Sequence, residues 1–139
     1  MYEVVRGHYI SCGHRVYLHE GACKNLHGHS YRVHFHCRSR ELDAMGMVVD
    51  FGVIKRLLCS WLDDNFDHRT LIWQEDPIGL LLSYLDSSVI LVPFNPTAEN
   101  IARYLCETVA PQQLLGHKVE VFKVVVEETN NCRASYASD

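Results

Sequence analysis

The stretch Gly13–Arg38, GHRVYLHEGACKNLHGHSYRVHFHCR, decides how this chain is read. Its second half alternates, with Tyr31, Val33, Phe35 and Cys37 on one side of an extended chain and Arg32, His34, His36 and Arg38 on the other. A period of two predicts a half-buried strand over Ser30–Arg38. Upstream, Tyr2–Cys12 is rich in β-branched and aromatic residues and reads as a first strand, followed by a loop with Gly13, Gly21 and Gly28. His27 and His29 stand two apart, so on an extended chain both rings project to the same side. His14 lies on the preceding arm, where an antiparallel partner brings a third imidazole alongside. Three neutral imidazoles suit a tetrahedral Zn2+ whose fourth position stays open for chemistry. His8, His19, His34, His36 and His117 show no such pattern and read as ordinary polar residues.

Further along, Phe51, Ile54, Leu57, Leu58, Trp61 and Leu62 recur at the spacing of one buried helical face, with Asp50 as N-cap. A second helix follows Pro96, capped by Thr97, with Ile101, Tyr104, Leu105, Thr108 and Val109 facing inward and Pro111 closing it. Lys118–Val126 alternates as a strand and Cys132–Tyr136 reads as a short last one. Between the helices, Asp76-Pro77 marks a turn, and VILV (89–92) a short strand. Helices grouped between strand pairs predict an α+β fold with an antiparallel sheet, as one domain over residues 1–139.

Composition narrows the function. The chain has 139 residues, 47% hydrophobic and 22% charged, which excludes a disordered or collagen-like protein. A net charge of −4 argues against a nucleic-acid binder or a polybasic membrane-surface protein. No apolar run approaches the ~18–20 residues needed to cross a bilayer, and no signal peptide is visible. No GxGxxG, GKS or GKT occurs to cradle phosphates. Six cysteines, with Cys37, Cys59 and Cys106 at core positions of strand and helices, read as free thiols of a soluble cytoplasmic protein.

Cys23 stands apart, and its residues leave three readings open. It completes a closed zinc site of one cysteine and three histidines, or it is a thiolate base beside the metal, its pKa lowered by Zn2+ and Lys24, or it is a buried inert thiol. Asp67-His68 follows the first helix, where only a turn aims two adjacent side chains at one pocket. By default that pair is a solvated helix end. Glu127-Glu128-Thr129 is by default a solvated strand end.

In chain order, GHRV (13–16), CKNLHGHSY (23–31), GMVVDF (46–51), FDHRTL (66–71), NPTAENIA (95–102) and VEETNNCRASY (126–136) resemble the 6-pyruvoyltetrahydropterin and 6-carboxytetrahydropterin synthases, nearly end to end. The resemblance implies the tunnelling fold, a four-stranded antiparallel sheet with two helices on one face. Subunits then join their sheets into a barrel, commonly a homo-hexamer of two trimers, with active sites at subunit interfaces. It implies zinc on His14, His27 and His29, and a catalytic thiol at Cys23 served by Asp67 and His68. Glu128 would anchor the amino-pyrimidinone edge of a pterin, with Thr129 adjacent, and Thr97 and Glu99 would lie near the pterin of a neighbouring subunit. The implied substrate is 7,8-dihydroneopterin triphosphate.

The spacing of one thiol, three residues (Lys24-Asn25-Leu26) and then the His-Gly-His ligand pair resembles the branch that forms 6-carboxytetrahydropterin and releases acetaldehyde and triphosphate. The alternative is the 6-pyruvoyl branch, which eliminates triphosphate from the same substrate. An alternative of another class is a non-enzymatic zinc-stabilised module in which Cys23 joins the three histidines as fourth ligand. The separate Asp67-His68 and Glu128 motifs favour an enzyme, since a structural site has no use for them. Trp73–Pro93 is longer than in the shortest relatives and implies a reshaped pocket rim.

Overall fold

A computed structural model describes residues 1–139. In order, it contains β1 (Tyr2–His14), β2 (His27–Ser39), helix α1 (51–65), β3 (Arg69–Trp73), helix α2 (Gly79–Leu85), β4 (Val89–Val92), helix α3 (98–113), β5 (Glu120–Glu127) and β6 (Arg133–Ala137). All strands form one sheet in the order β4-β3-β1-β2-β5-β6. β1, β2, β5 and β6 pair antiparallel. β3 runs parallel to the end of β1, and β4 parallel to β3.

The α+β class therefore holds, but the sheet is mixed and has six strands where four antiparallel ones were expected. β3 hid from the alternation because Leu71 and Ile72 are both 0% exposed. A strand covered on both faces has no polar side to alternate with. Helix α2 supplies one cover. A Cβ on Gly79 would lie 3.0 Å from the Leu91 side chain and 3.1 Å from that of Ile72, so glycine permits this close approach. β3, α2 and β4 thus form a small parallel unit on one edge of an antiparallel sheet.

The other two helices cover one face of β1, β2 and β5. Ile10, Cys12, Tyr31, Val33, Phe35, Cys37, Val124 and Val126 meet Ile54, Leu58, Leu62, Ile101, Leu105 and Val109 in the core. This is the inward side that the alternation of Ser30–Arg38 indicated. Asp50 caps α1 by accepting from Gly52 N–H, and Thr97 caps α3 by accepting from Asn100 N–H, as expected. Both helices contain one wider π turn, at Lys55–Cys59 and Leu105–Val109, which shifts the buried stripe by a residue and brings Cys59 and Cys106 inside.

Two expectations fail at helix ends. Phe51 is 49% exposed, because it occupies the first helical position, ahead of Ile54, where α1 first reaches the core. Pro111 does not close α3, which continues through Gln113. Pro111 lies two residues past the π turn, whose wider bonding already interrupts the regular ladder that a proline would otherwise break. The helix ends with Leu114 as its C-cap, and Gly116, at φ 86°, turns the chain just beyond it. No helix is long and apolar enough to cross a membrane.

Phe35 is 0% exposed at the centre of the core. Phe35→Ala is expected to cost about 3–5 kcal/mol, read as a lowered urea midpoint with little change in slope.

Candidate metal centre

Strand pairing assembles the site. In the β1–β2 register, His14 lies opposite His27 and Cys12 opposite His29. Both strands run beyond the limits read from the alternation, β1 through His14 and β2 from His27, so the three histidines stand on strand ends. The Nε2 atoms of His14 and His27 are 3.0 Å apart, and those of His14 and His29 3.2 Å. One ring nitrogen from each of the three lies within 4.8 Å of the others.

Backbone carbonyls select the tautomers. His14 Nδ1 donates to the Pro96 carbonyl at 2.6 Å, and His27 Nδ1 to the Asn25 carbonyl at 2.7 Å. A neutral imidazole with its proton on Nδ1 presents a lone pair at Nε2. Two lone pairs facing each other at 3.0 Å repel unless a cation takes both. Burial pushes the His14 imidazole down to about 4, with the charges of His27 and His29 acting the same way and the Pro96 bond opposing. Burial also lowers His29, against the pull of Glu128. A metal fits. Zn–N bonds of about 2.0–2.1 Å in a tetrahedron set ligand nitrogens ~3.3 Å apart, close to the spacings seen. The Pro96 and Asn25 carbonyls are the outer partners that hold such ligands in orientation.

Other groups close around the three rings. Glu128, just past β5, places Oε2 3.9 Å from His29 Nε2. Tyr31 is 2% exposed, its ring edge-on to His14 at 5.7 Å and to His29 at 5.3 Å. Its hydroxyl has no hydrogen-bond partner within the chain, which costs roughly 1–3 kcal/mol for a buried donor. Burial pushes this phenol up, and the charge of Glu128 adds to the effect. Cys23 is half-buried on a single 3-10 turn, Ala22–Lys24, and its carbonyl accepts from Val16 N–H at 2.8 Å, folding the loop back over the end of β1. Cys12 is the other thiol nearby, but burial pushes it up to about 12, with the Asp67 charge adding, so it stays a thiol. All six cysteines are free.

Asp67 and His68 occupy the turn after α1. His68 has φ 59°, in the left-handed region that a non-glycine residue enters at a cost. That turn aims the adjacent side chains at each other, Asp67 Oδ2 to His68 Nδ1 at 2.9 Å, while Oδ1 accepts from Ser11 N–H at 2.8 Å. Burial resists ionisation of Asp67, but the bonds from Ser11 and His68 and the imidazole charges of His68 and His8 outweigh it and hold the carboxyl below its usual range. No hydrogen bond or ion pair joins this pair to Cys23 within the chain. The His68 side chain is 80% exposed and lines a shallow dish with Ser11, Gly13, Ser30 and Thr70.

Thr97 spends its oxygen on capping α3, and Glu99 is exposed in the first turn of that helix. Thr129 Oγ1 accepts from Asn131 and Cys132 N–H, which shapes the turn after Glu128. Sequence reasoning missed the carbonyls of Pro96 and Asn25, because every residue has one. It also missed Asn95, whose amide bonds both N–H and C=O of Tyr17, and the ion pair of Arg15 with fully buried Asp76 at 2.9 Å. The only signal for these was Asn95 lying just ahead of Pro96-Thr97.

The family model described as 6-pyruvoyl tetrahydropterin synthase matches residues 3–139. This chain belongs to that family. A 6-carboxy-5,6,7,8-tetrahydropterin synthase from Rickettsia bellii is 39% identical over 125 residues, spanning 88% of this chain and 91% of its own length. Among solved structures, an uncharacterized protein from Wolinella succinogenes has a TM-score of 0.89 at 26% identity, covering 99% of this chain and 98% of that one. The 6-pyruvoyl tetrahydropterin synthase of Caenorhabditis elegans has a TM-score of 0.69 at 26% identity, covering 99% and 96%. In this member of the family the cluster of three histidines, the carboxylate at the rim and the strained Asp-His turn all arise at one end of the sheet.

The depressed Asp67 carboxyl has a pH consequence. Its ionised form contributes stability above the unfolded-state value of about 3.9, and that contribution is lost as pH falls through the lower folded-state value. Asp67→Asn should unfold at lower denaturant than the parent at pH 6. The gap should narrow as both are titrated downward from about pH 5.

Proposed function

We propose that this chain is a zinc-dependent lyase that converts 7,8-dihydroneopterin triphosphate and water into 6-carboxy-5,6,7,8-tetrahydropterin, acetaldehyde and triphosphate. The observation that carries the reading is the trio of imidazoles with converging Nε2 atoms, two of them with their protons held on Nδ1 by backbone carbonyls, and the Glu128 carboxylate at its rim. A structural zinc site has no need of that carboxylate. The 6-carboxy product is favoured over the 6-pyruvoyl one by the name of the Rickettsia relative and by the three-residue spacer between Cys23 and His27.

His14, His27 and His29 would hold the zinc, which when bound supplies Lewis-acid polarisation of the substrate's side-chain hydroxyls. Glu128 accepts two N–H groups from the amino-pyrimidinone edge, a charge-assisted bidentate contact that fixes the ring. Cys23, as thiolate, takes a proton from the side chain at C6 and relays it toward the ring. Asp67 holds His68 by its Nδ1, leaving Nε2 to exchange protons. Thr129 keeps the Glu128 turn in shape, and Thr97 and Glu99 stand at the head of α3, near the pterin of a neighbouring subunit. Ring and side chain exchange two electrons internally, so no redox cofactor enters.

His68 is exposed and unlinked to Cys23 in one chain, which fits a site completed by a second subunit. A homo-oligomer, as two trimers forming a hexamer with the sheets closed into a barrel, also accounts for the open edges β4 and β6. It would cover Leu80, Leu81, Tyr84 and Leu85 of α2, all at least 60% exposed. Buried free thiols suit the cytoplasm.

Incubation with 7,8-dihydroneopterin triphosphate tests the reading. Acetaldehyde trapped in equal amount with a carboxylated tetrahydropterin is the expected result. A pyruvoyl product without acetaldehyde would install the other branch, and no product at all would remove the enzyme reading. The role of the thiol separates from metal binding. Cys23→Ala should keep one zinc per chain by metal analysis yet lose about 10²–10⁴-fold in turnover, whereas His27→Ala should lose both. Zinc lost equally from both variants would return Cys23 to the metal as a fourth ligand.

A further inference from the structure

We infer that the Tyr31 hydroxyl contacts the substrate, donating a hydrogen bond to the acceptor edge of the pterin formed by its C4 carbonyl oxygen and N5. The inference rests on the pterin-lyase reading of this site and adds a residue to it.

Tyr31 is 2% exposed, and its hydroxyl has no partner in the chain. The other buried side-chain polar atoms without a hydrogen bond are Arg15 Nε and Asp76 Oδ2, and these face each other at 2.9 Å as an ion pair. Tyr31 alone keeps a buried polar side-chain atom with nothing opposite it. Packing does not account for this hydroxyl, since a phenylalanine would present the same ring edges to His14 and His29. Buried polar groups without partners are rare in folded proteins, and each calls for a specific explanation.

Its position supplies one. The ring stands against two of the three clustered imidazoles, one of which, His29, lies 3.9 Å from Glu128. The strand that carries Tyr31 and His29 follows closely on the turn that carries Cys23. In the proposed site Glu128 and Cys23 mark the ends of the bound substrate, Glu128 at the amino-pyrimidinone edge and Cys23 at the side chain on C6. On a 7,8-dihydropterin, the short path around the ring from N3 to C6 passes the C4 carbonyl and N5. Both are acceptors without a proton. A phenol, whose ordinary pKa is about 10, is a donor at neutral pH and matches that edge. A hydrogen bond there also draws electron density from the N5=C6 bond, which the reaction converts to its reduced form.

The test is Tyr31→Phe in the full chain, with zinc content, thermal midpoint, binding of 7,8-dihydroneopterin and turnover of its triphosphate measured side by side. Zinc should stay at one per chain, and the midpoint should hold or rise as the orphaned hydroxyl is removed. Dihydroneopterin should bind about 10-fold more weakly, and kcat/KM should fall about 10–100-fold. A parent protein that neither binds nor turns over the pterin would refute the lyase reading and this inference together. An active parent whose Tyr31→Phe variant matches it within about twofold in both pterin readouts would refute the inference alone. Loss of zinc or of the thermal midpoint in the variant would assign the hydroxyl to structure and overturn it as well.

Discussion

The antiparallel register of β1 against β2 is the constraint on which the rest depends. It sets His14 across from His27 and Cys12 across from His29. A slip of one residue would turn every side chain of one strand to the opposite face. The same face carries Ile10, Tyr31, Val33, Phe35 and Cys37, all buried. Burial of a large apolar side chain is worth roughly 1.5–3 kcal/mol, and several such residues oppose any slip. The hydrophobic core thereby holds together three imidazoles that, without a cation, have no reason to face one another.

Helix packing then fixes how those rings are turned. α3 begins at its Thr97 cap, and the residue before the cap, Pro96, gives its carbonyl to His14 Nδ1. Docking of Ile101, Leu105 and Val109 against the sheet therefore also delivers an acceptor that orients the ring. On the other side, the turn after Cys23 brings the Asn25 carbonyl to His27. Both orienting groups belong to the main chain, so they are as rigid as the elements that carry them. The strained φ of His68 is a third instance: local backbone geometry is held off its preferred basin, and the Asp67-His68 bond is the result.

The small parallel unit on the far edge has a different logic. Ile72 and Leu71 are sealed on both sides, and α2 lies close enough to need Gly79. Its outer residues, Leu81, Tyr84 and Leu85, are left bare. Buried Asp76 reaches from the loop after β3 to Arg15, the residue next to His14. An isolated buried carboxylate is costly, so this pair ties the edge unit to the histidine end of β1.

Taken by itself, the sequence determined the features that leave a local trace. One-sided burial prints a period of two on Ser30–Arg38 and a helical stripe on residues 54–62, and the Asp50 and Thr97 caps stand where their oxygens are used. His27 and His29 were legible as a pair because a strand has a fixed period, and His14 followed from an antiparallel partner. Motif order carried the family. Tertiary structure decided the remainder. β3 was invisible because burial on both faces erases alternation, and the core reach of α1 could not be set at Phe51 from periodicity alone. The π turn ahead of Pro111 changed what that proline does. Pro96 lies 82 residues from His14, and a backbone carbonyl has no letter of its own. The unpartnered hydroxyl of Tyr31 belongs to this class too: a tyrosine on the buried face of a strand looks like core until the surroundings of its oxygen are known.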